Sequence, residues 1–384
     1  MIVQQFLRWV QTAPPGERAD ATSALARAYL HSPLDAGDRK AAEAAMTVLL
    51  DDASPMVREA LAIVLAPSPH APRPIIHALS QDQGEIASLV LAQSPLLTEA
   101  ELIDAVALGD WRAQCSVACR IPVPVTLAGA IAEVGGADAC LALLQNPDAT
   151  LSQGCLVRIA ERHGGDGGVR EGLFEREDLP AEARQAAVAA LTGSLTDFVA
   201  GCGWLAPNRA ARVGLEARDK ASVTIAGLGR EEDLRGLVRQ LRRSGQLTPA
   251  LVLRALLSAN VRMFEEALSD LSGMPLHRVS GIIFSHRSGG FEALYAKCGL
   301  PAAALPAFQA ALDAIGEQGF LAECSSEARL SRRMTERVLT SVDALGAAET
   351  EQLLLMLRRF AAEAARDEAR AIAGDIKRDM LIAA

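Results

Sequence analysis

The sequence predicts an all-α protein, an α-solenoid of stacked helical hairpins finished by a C-terminal helical unit. Three observations carry that expectation. Half of the 384 residues are hydrophobic but only 4% are aromatic, and Ala, Leu and Val supply most of the apolar load, as closely packed helices require. Apolar positions recur at helical spacing in short segments separated by turns rich in Pro, Gly, Asp or Asn. Those turns carry Asp52, Asp82, Asp110, Asn146 and Asp178, spaced by 30, 28, 36 and 32 residues, the period of a two-helix repeat.

Along the chain, the segment from Asp38 to Leu50 places Ala42, Ala45, Met46, Leu49 and Leu50 on one face. It breaks at Asp51-Asp52-Ala53-Ser54-Pro55, where Ser54 is placed to cap and Pro55 to open the next helix. Val57, Ala60, Leu61, Val64 and Leu65 then form the apolar stripe that completes one hairpin. Ile75 to Leu79 and Ile86 to Leu91 repeat the pattern, and Thr98 with Glu101 spells a capping box before Leu102, Ile103 and Val106. Further helices are expected after the turns at Asn146-Pro147 and Leu179-Pro180.

The run Leu50 to Leu61, an acidic turn followed by Pro, then Val57-Arg58 and an apolar helix, resembles the core of HEAT and armadillo-type repeats. That resemblance implies structural roles for Asp52 and Arg58, which would hydrogen-bond between neighbouring repeats. More closely, Ser94-Pro95-Leu96-Leu97-Thr98, Asp178-Leu179-Pro180, and the stretch from Leu247-Thr248-Pro249 through Phe264-Glu265-Glu266 to Leu294-Tyr295 resemble a bacterial family of HEAT-like proteins, domain of unknown function 2336. The family implies a packing pattern and brings no catalytic residues with it.

Glycine and proline punctuation near Gly201-Cys202-Gly203-Trp204 and Pro207 suggests a boundary, so three segments are expected: 1–195 as repeats, 196–301 as a second helical unit and 302–384 as C-terminal amphipathic helices. Helices are predicted near Glu231 to Arg243, Pro249 to Leu257, Val261 to Leu271, Pro275 to Phe284, Glu327 to Leu345 and Ala348 to Arg378. In the last of these, Leu353, Leu354, Met356, Leu357, Phe360, Ala361 and Ala364 form a stripe suited to docking on Glu327 to Leu345 or to a homodimer through the C-terminal helices.

Several chemistries lack their signatures. No apolar run approaches the ~18 residues of a membrane span, and Gln4, Gln5 and Arg8 interrupt the start of the chain where an export signal would be apolar, so a cytoplasmic location without membrane insertion is expected. The seven cysteines show no paired short spacing, the six histidines no zinc-type spacing, and no phosphate loop or nucleophile elbow appears, so neither a metal nor a cofactor is expected and the chain is read as a non-enzyme. A net charge of −9 disfavours nucleic acid as a partner.

What remains is an interaction surface. In the helix from Glu231, the buried stripe Leu234, Leu237, Val238 and Leu241 leaves Arg235, Arg239 and Arg242 at i, i+4 and i+7, with Arg243 beside them. Residues 230–290 hold nine Arg against six Asp or Glu, a local excess of positive charge. The ridge is either a solvated face or a dock for an acidic protein partner, since Arg pairs bidentately with carboxylates. An alternative regulatory function, binding a small anionic ligand or nucleotide, would use His286, Arg287 and Ser288 in a polar loop of the second helical unit.

Overall fold

The computed structural model describes residues 8–10, 12–284, 289–317, 327–344 and 351–382. The protein is all-α: helix takes up 77% of it and no strand occurs among the described residues. It divides into two compact units, residues 1–190 and 191–384.

The first unit runs through α1 (Pro15–His31), α2 (Ala36–Leu49), α3 (Pro55–Leu65), α4 (Arg73–Ser80), α5 (Gly84–Gln93), α6 (Glu99–Leu108), α7 (Trp111–Ala118), α8 (Val125–Val134), α9 (Ala137–Gln145), α10 (Gln153–His163) and α11 (Gly167–Phe174). Local chemistry sets the starts of several. The side chains of Asp35, Asp110, Ser152 and Asp166 each accept the amide three residues on, and Thr98 with Glu101 closes the full capping box. Ser54 departs from expectation. It occupies the N-cap position of α3 without a side-chain cap: the Val57 amide it would accept bonds the Ser54 carbonyl at 3.2 Å, while the Asp52 carboxylate accepts the Ser54 amide at 2.8 Å.

Alternate helices touch: α3 packs on α1, α5 on α3, α7 on α5, α9 on α7 and α11 on α9, while α8 packs on α6 and α10 on α8. Between them lies one apolar core containing Met46, Leu61, Ile76, Leu79, Leu127 and Ile131. Each fully buried side chain of that size contributes ~1.5–3 kcal/mol relative to exposure. Polar links join successive turns beside this core. Arg18 on α1 grips the Asp52 carboxylate at 2.8 and 2.9 Å, and Arg58 on α3 grips Asp82 at 2.7 and 3.0 Å while donating to the Asp52 carbonyl at 2.6 Å. Later turns keep the link with other donors, as where Asn146 donates to the carbonyls of Ala118 and Arg120 at 2.9 and 2.8 Å.

The helix α12 (Ala181–Gly201) contains the division between units. The second unit continues with α13 (Pro207–Leu228), α14 (Glu231–Arg243), α15 (Pro249–Leu257), α16 (Val261–Ser272), α17 (Leu276–Ile283), α18 (Gly290–Lys297), α19 (Leu305–Gly316), α20 (Glu327–Asp343) and α21 (Glu351–Ile382). The Gly201 to Pro207 segment is a turn between α12 and α13, closed by an edge-on contact of Phe198 with Trp204 at 5.7 Å. No separation follows residue 301. Phe264 stacks on Phe308 at 5.9 Å, Tyr295 meets Phe308 edge-on at 5.3 Å, and Met334, Val338, Leu357 and Phe360 belong to the same core, so 196–301 and 302–384 share one interior.

The C-terminal stripe is spent inside this unit. Leu353, Leu357, Phe360 and Ala364 are buried, and α21 packs along α20. Ion pairs reinforce the docking: Arg254 reaches Glu363 at 2.9 Å with its guanidinium 4.2 Å over the Phe360 ring, Lys220 meets Asp367 at 2.5 Å, and Arg332 meets Glu368 at 2.7 Å.

Candidate functional site

Helix α14 is strongly two-faced. Leu234, Leu237, Val238 and Leu241 are buried at i, i+3, i+4 and i+7, which turns Arg235, Arg239, Arg242 and Arg243 to the exposed side. The cationic end of the ridge, Arg242 and Arg243, sits in the last turn, where positive charge complements the helix dipole.

The neighbouring helix α16 divides these four residues into two pairs. Glu266, only 7% exposed, lies 3.7 Å from the Arg235 guanidinium. One turn later Asp270 accepts from Arg242 through its carboxylate at 2.9 Å and its carbonyl at 2.6 Å. Arg239 and Arg243 have no ion-pair partner among the described residues. The sequence reading placed all four on one ridge but missed Glu266 and Asp270, which lie about thirty residues away and face the ridge only once α14 and α16 pack. Their i, i+4 spacing opposite the Arg series is the signal that would have found them.

Beside the ridge runs an open groove of about 730 Å³, lined by Arg235, Arg239, Glu266, Asp270 and the turn Gly273–His277. The turn is built by Gly273, whose left-handed backbone (φ 68°) ends α16, and by Ser269, which donates to the Met274 carbonyl at 2.7 Å. His277 is exposed at its rim. The groove thus offers Arg239, which has no ion-pair partner among the described residues, beside Arg235, whose guanidinium already meets Glu266, with part-buried Met274 and Leu276 also in its lining. Such an arrangement suits docking of an anionic group with an apolar neighbour.

Asp52 and Arg58 are brought together through the Asp52 carbonyl and belong to the polar links of the first unit. Burial works to raise Asp52 and Asp82, but the guanidiniums of Arg18 and Arg58 and local backbone amides outweigh it and hold both carboxyls below the usual aspartate range. His286, Arg287 and Ser288 lie outside the described residues. Burial pushes the thiols of Cys140 and Cys298 up to about 11, so both stay protonated at neutral pH. Among the described residues no group of three His, Cys, Asp or Glu is placed to hold a metal ion, and no helix is long and apolar enough to cross a membrane.

A family model described as an uncharacterised protein conserved in bacteria, DUF2336, matches residues 86–347, which is more than half of the chain. No curated protein and no solved structure matches.

Proposed function

The chain belongs to this bacterial family, and from that premise we propose that it is a non-enzymatic protein-interaction module of the helical-repeat type, working in the cytoplasm and docking an acidic protein partner on α14. The repeat reading is supported by the packing of alternate helices in the first unit and by the Arg18 to Asp52 and Arg58 to Asp82 links between successive turns. The docking reading rests on one observation above others. Arg239 and Arg243 are exposed one turn apart without carboxylate partners among the described residues, while their neighbours Arg235 and Arg242 are held by Glu266 and Asp270.

Arginines one turn apart stand ~6 Å from each other, which matches two carboxylates on a facing helix or strand. The test is affinity purification from the native host with the unaltered chain and with Arg239→Glu/Arg243→Glu. The buried stripe of α14 is untouched by that change, so helix content should be unaltered. Loss of specific co-purifying proteins is the expected outcome, and recovery of the same proteins at the same yield would overturn the reading.

A further inference from the structure

The helix packing of the first unit has a gap. α8 packs on α6 and α10 on α8, but α4 and α6 meet only sparsely, and a groove of about 390 Å³ is left beside them, within the size range of binding pockets. Helical spacing turns one side of each bordering helix into it: Ala87 and Leu91 of α5 at i and i+4, and Glu101, Asp104, Ala105 and Leu108 of α6 at i, i+3, i+4 and i+7. The groove therefore has an apolar wall and an acidic one.

Four carboxylates line it, those of Asp82, Glu101, Asp104 and Asp110, and no Lys or Arg does. Two are already matched, Asp82 by Arg58 at 2.7 Å and Glu101 by Arg73 at 3.5 Å. The other two are not. Asp110 gives one oxygen to the Ala113 amide at 3.0 Å and has no ion-pair partner among the described residues, and exposed Asp104 bonds nothing among them. Arg112, beside Gly84, turns to Glu85 at 3.7 Å and does not line the groove. At the rim Leu108 is 87% exposed, more than any other large apolar side chain among the described residues.

Charge and shape together say what fits. Unmatched carboxylates beside an apolar wall are complementary to a cation that brings its own methylenes, and an arginine side chain supplies both, with a weakly hydrated guanidinium suited to carboxylates. An apolar neighbour of that cation would cover Leu108. We propose that this groove docks a basic segment of a protein partner, with arginine stems along Ala87, Leu91 and Ala105, guanidiniums at Asp104 and Asp110, and an apolar residue on Leu108. The site lies within the first unit and takes the opposite charge from the α14 surface, so it stands or falls independently of that reading.

Fluorescence anisotropy on the full chain tests this with two labelled, amidated peptides in which leucine alternates with arginine or with citrulline, its neutral isostere. The arginine peptide should bind with a midpoint below about 100 μM and weaken as salt rises, and the citrulline peptide should bind at least about tenfold less tightly. Asp104→Asn/Asp110→Asn should lose at least about tenfold in affinity for the arginine peptide. Circular dichroism should be unchanged, because asparagine caps a helix as aspartate does. Asp104→Asn alone, at an exposed position clear of any cap, should show part of that loss and decides the matter if the double variant does not fold. Glu17→Gln/Glu59→Gln removes two exposed carboxylates that do not line the groove and should bind like the unaltered chain. Four results overturn the proposal: an arginine peptide that does not bind, a citrulline peptide that binds as tightly, full affinity in Asp104→Asn, or a loss in Glu17→Gln/Glu59→Gln equal to that in Asp104→Asn/Asp110→Asn.

Discussion

Arg58 shows how much a single guanidinium does in this chain. It binds a carboxylate in the next turn and a carbonyl in its own, with both its side chain and that of Asp82 mostly shielded from solvent. Hydrogen bonds to charged groups contribute ~1.5–3 kcal/mol each, so Arg58→Ala is expected to cost about 2 kcal/mol, read as a lower denaturant midpoint with unchanged slope. The pH dependence follows from the same pairs. Asp52 and Asp82 titrate lower in the folded chain than in the unfolded one, so their contribution is complete above the unfolded value near ~3.9 and is lost as pH falls through the folded value. The stability of the unaltered protein should therefore drop steeply below about pH 4, and that of Arg58→Gln less steeply. An acid titration in which the two fall in parallel would contradict the assignment.

At the residue scale the sequence was legible where the partner is near in the chain. The Thr98 and Glu101 box lies within one helical turn and forms as spelled. Ser54 does not cap: the Val57 amide goes to the Ser54 carbonyl, and the turn is held instead by Asp52, which accepts the Ser54 amide and is itself gripped by Arg18 from thirty-four residues away. No local rule contains that third participant.

At the element scale, α14 matches its predicted limits of Glu231 to Arg243 because a strict apolar stripe, flanked by Gly229 and Gly245, leaves no competing period. What the stripe does not reveal is the facing helix, and so the carboxylates of Glu266 and Asp270 emerge only from packing. Leu237→Ala, at a fully buried position of the stripe, should destabilise the protein by about 2–5 kcal/mol. Substitution of Arg243 on the exposed side should change stability by less than about 0.5 kcal/mol. Thermal unfolding of the two variants separates the faces, and equal losses would refute the orientation of the helix. The last helix teaches the converse lesson. Its apolar stripe was readable, but the side chains that dock it within its own unit were not: Lys220, Arg254 and Arg332, which pair with Asp367, Glu363 and Glu368, lie tens of residues or more away in sequence.

At the scale of the whole molecule, the all-α class was fixed by composition and period, since few aromatic residues and an Ala-rich apolar set leave strands little to pack with. The number of units was less legible. Gly201 to Pro207 has the punctuation of a linker yet forms a turn within a hairpin, and residues 302–384 read as a separate segment while Phe308 is at the centre of the second core. Turn composition reports a chain reversal and does not report whether the helices on either side share an interior.

On the proposed docking surface, Arg239 and Arg243 carry the binding rather than the whole basic ridge. The most direct measurement compares binding of the captured partner to two double variants, Arg239→Glu/Arg243→Glu and Arg235→Gln/Arg242→Gln, by calorimetry at low and at physiological salt. The account predicts that the first loses at least about tenfold in affinity, equivalent to ~1.4 kcal/mol, with the unaltered complex weakening as salt rises, while the second stays within about threefold because Glu266 and Asp270 already hold those guanidiniums. Equal losses in the two variants, or full affinity in the first, would contradict it.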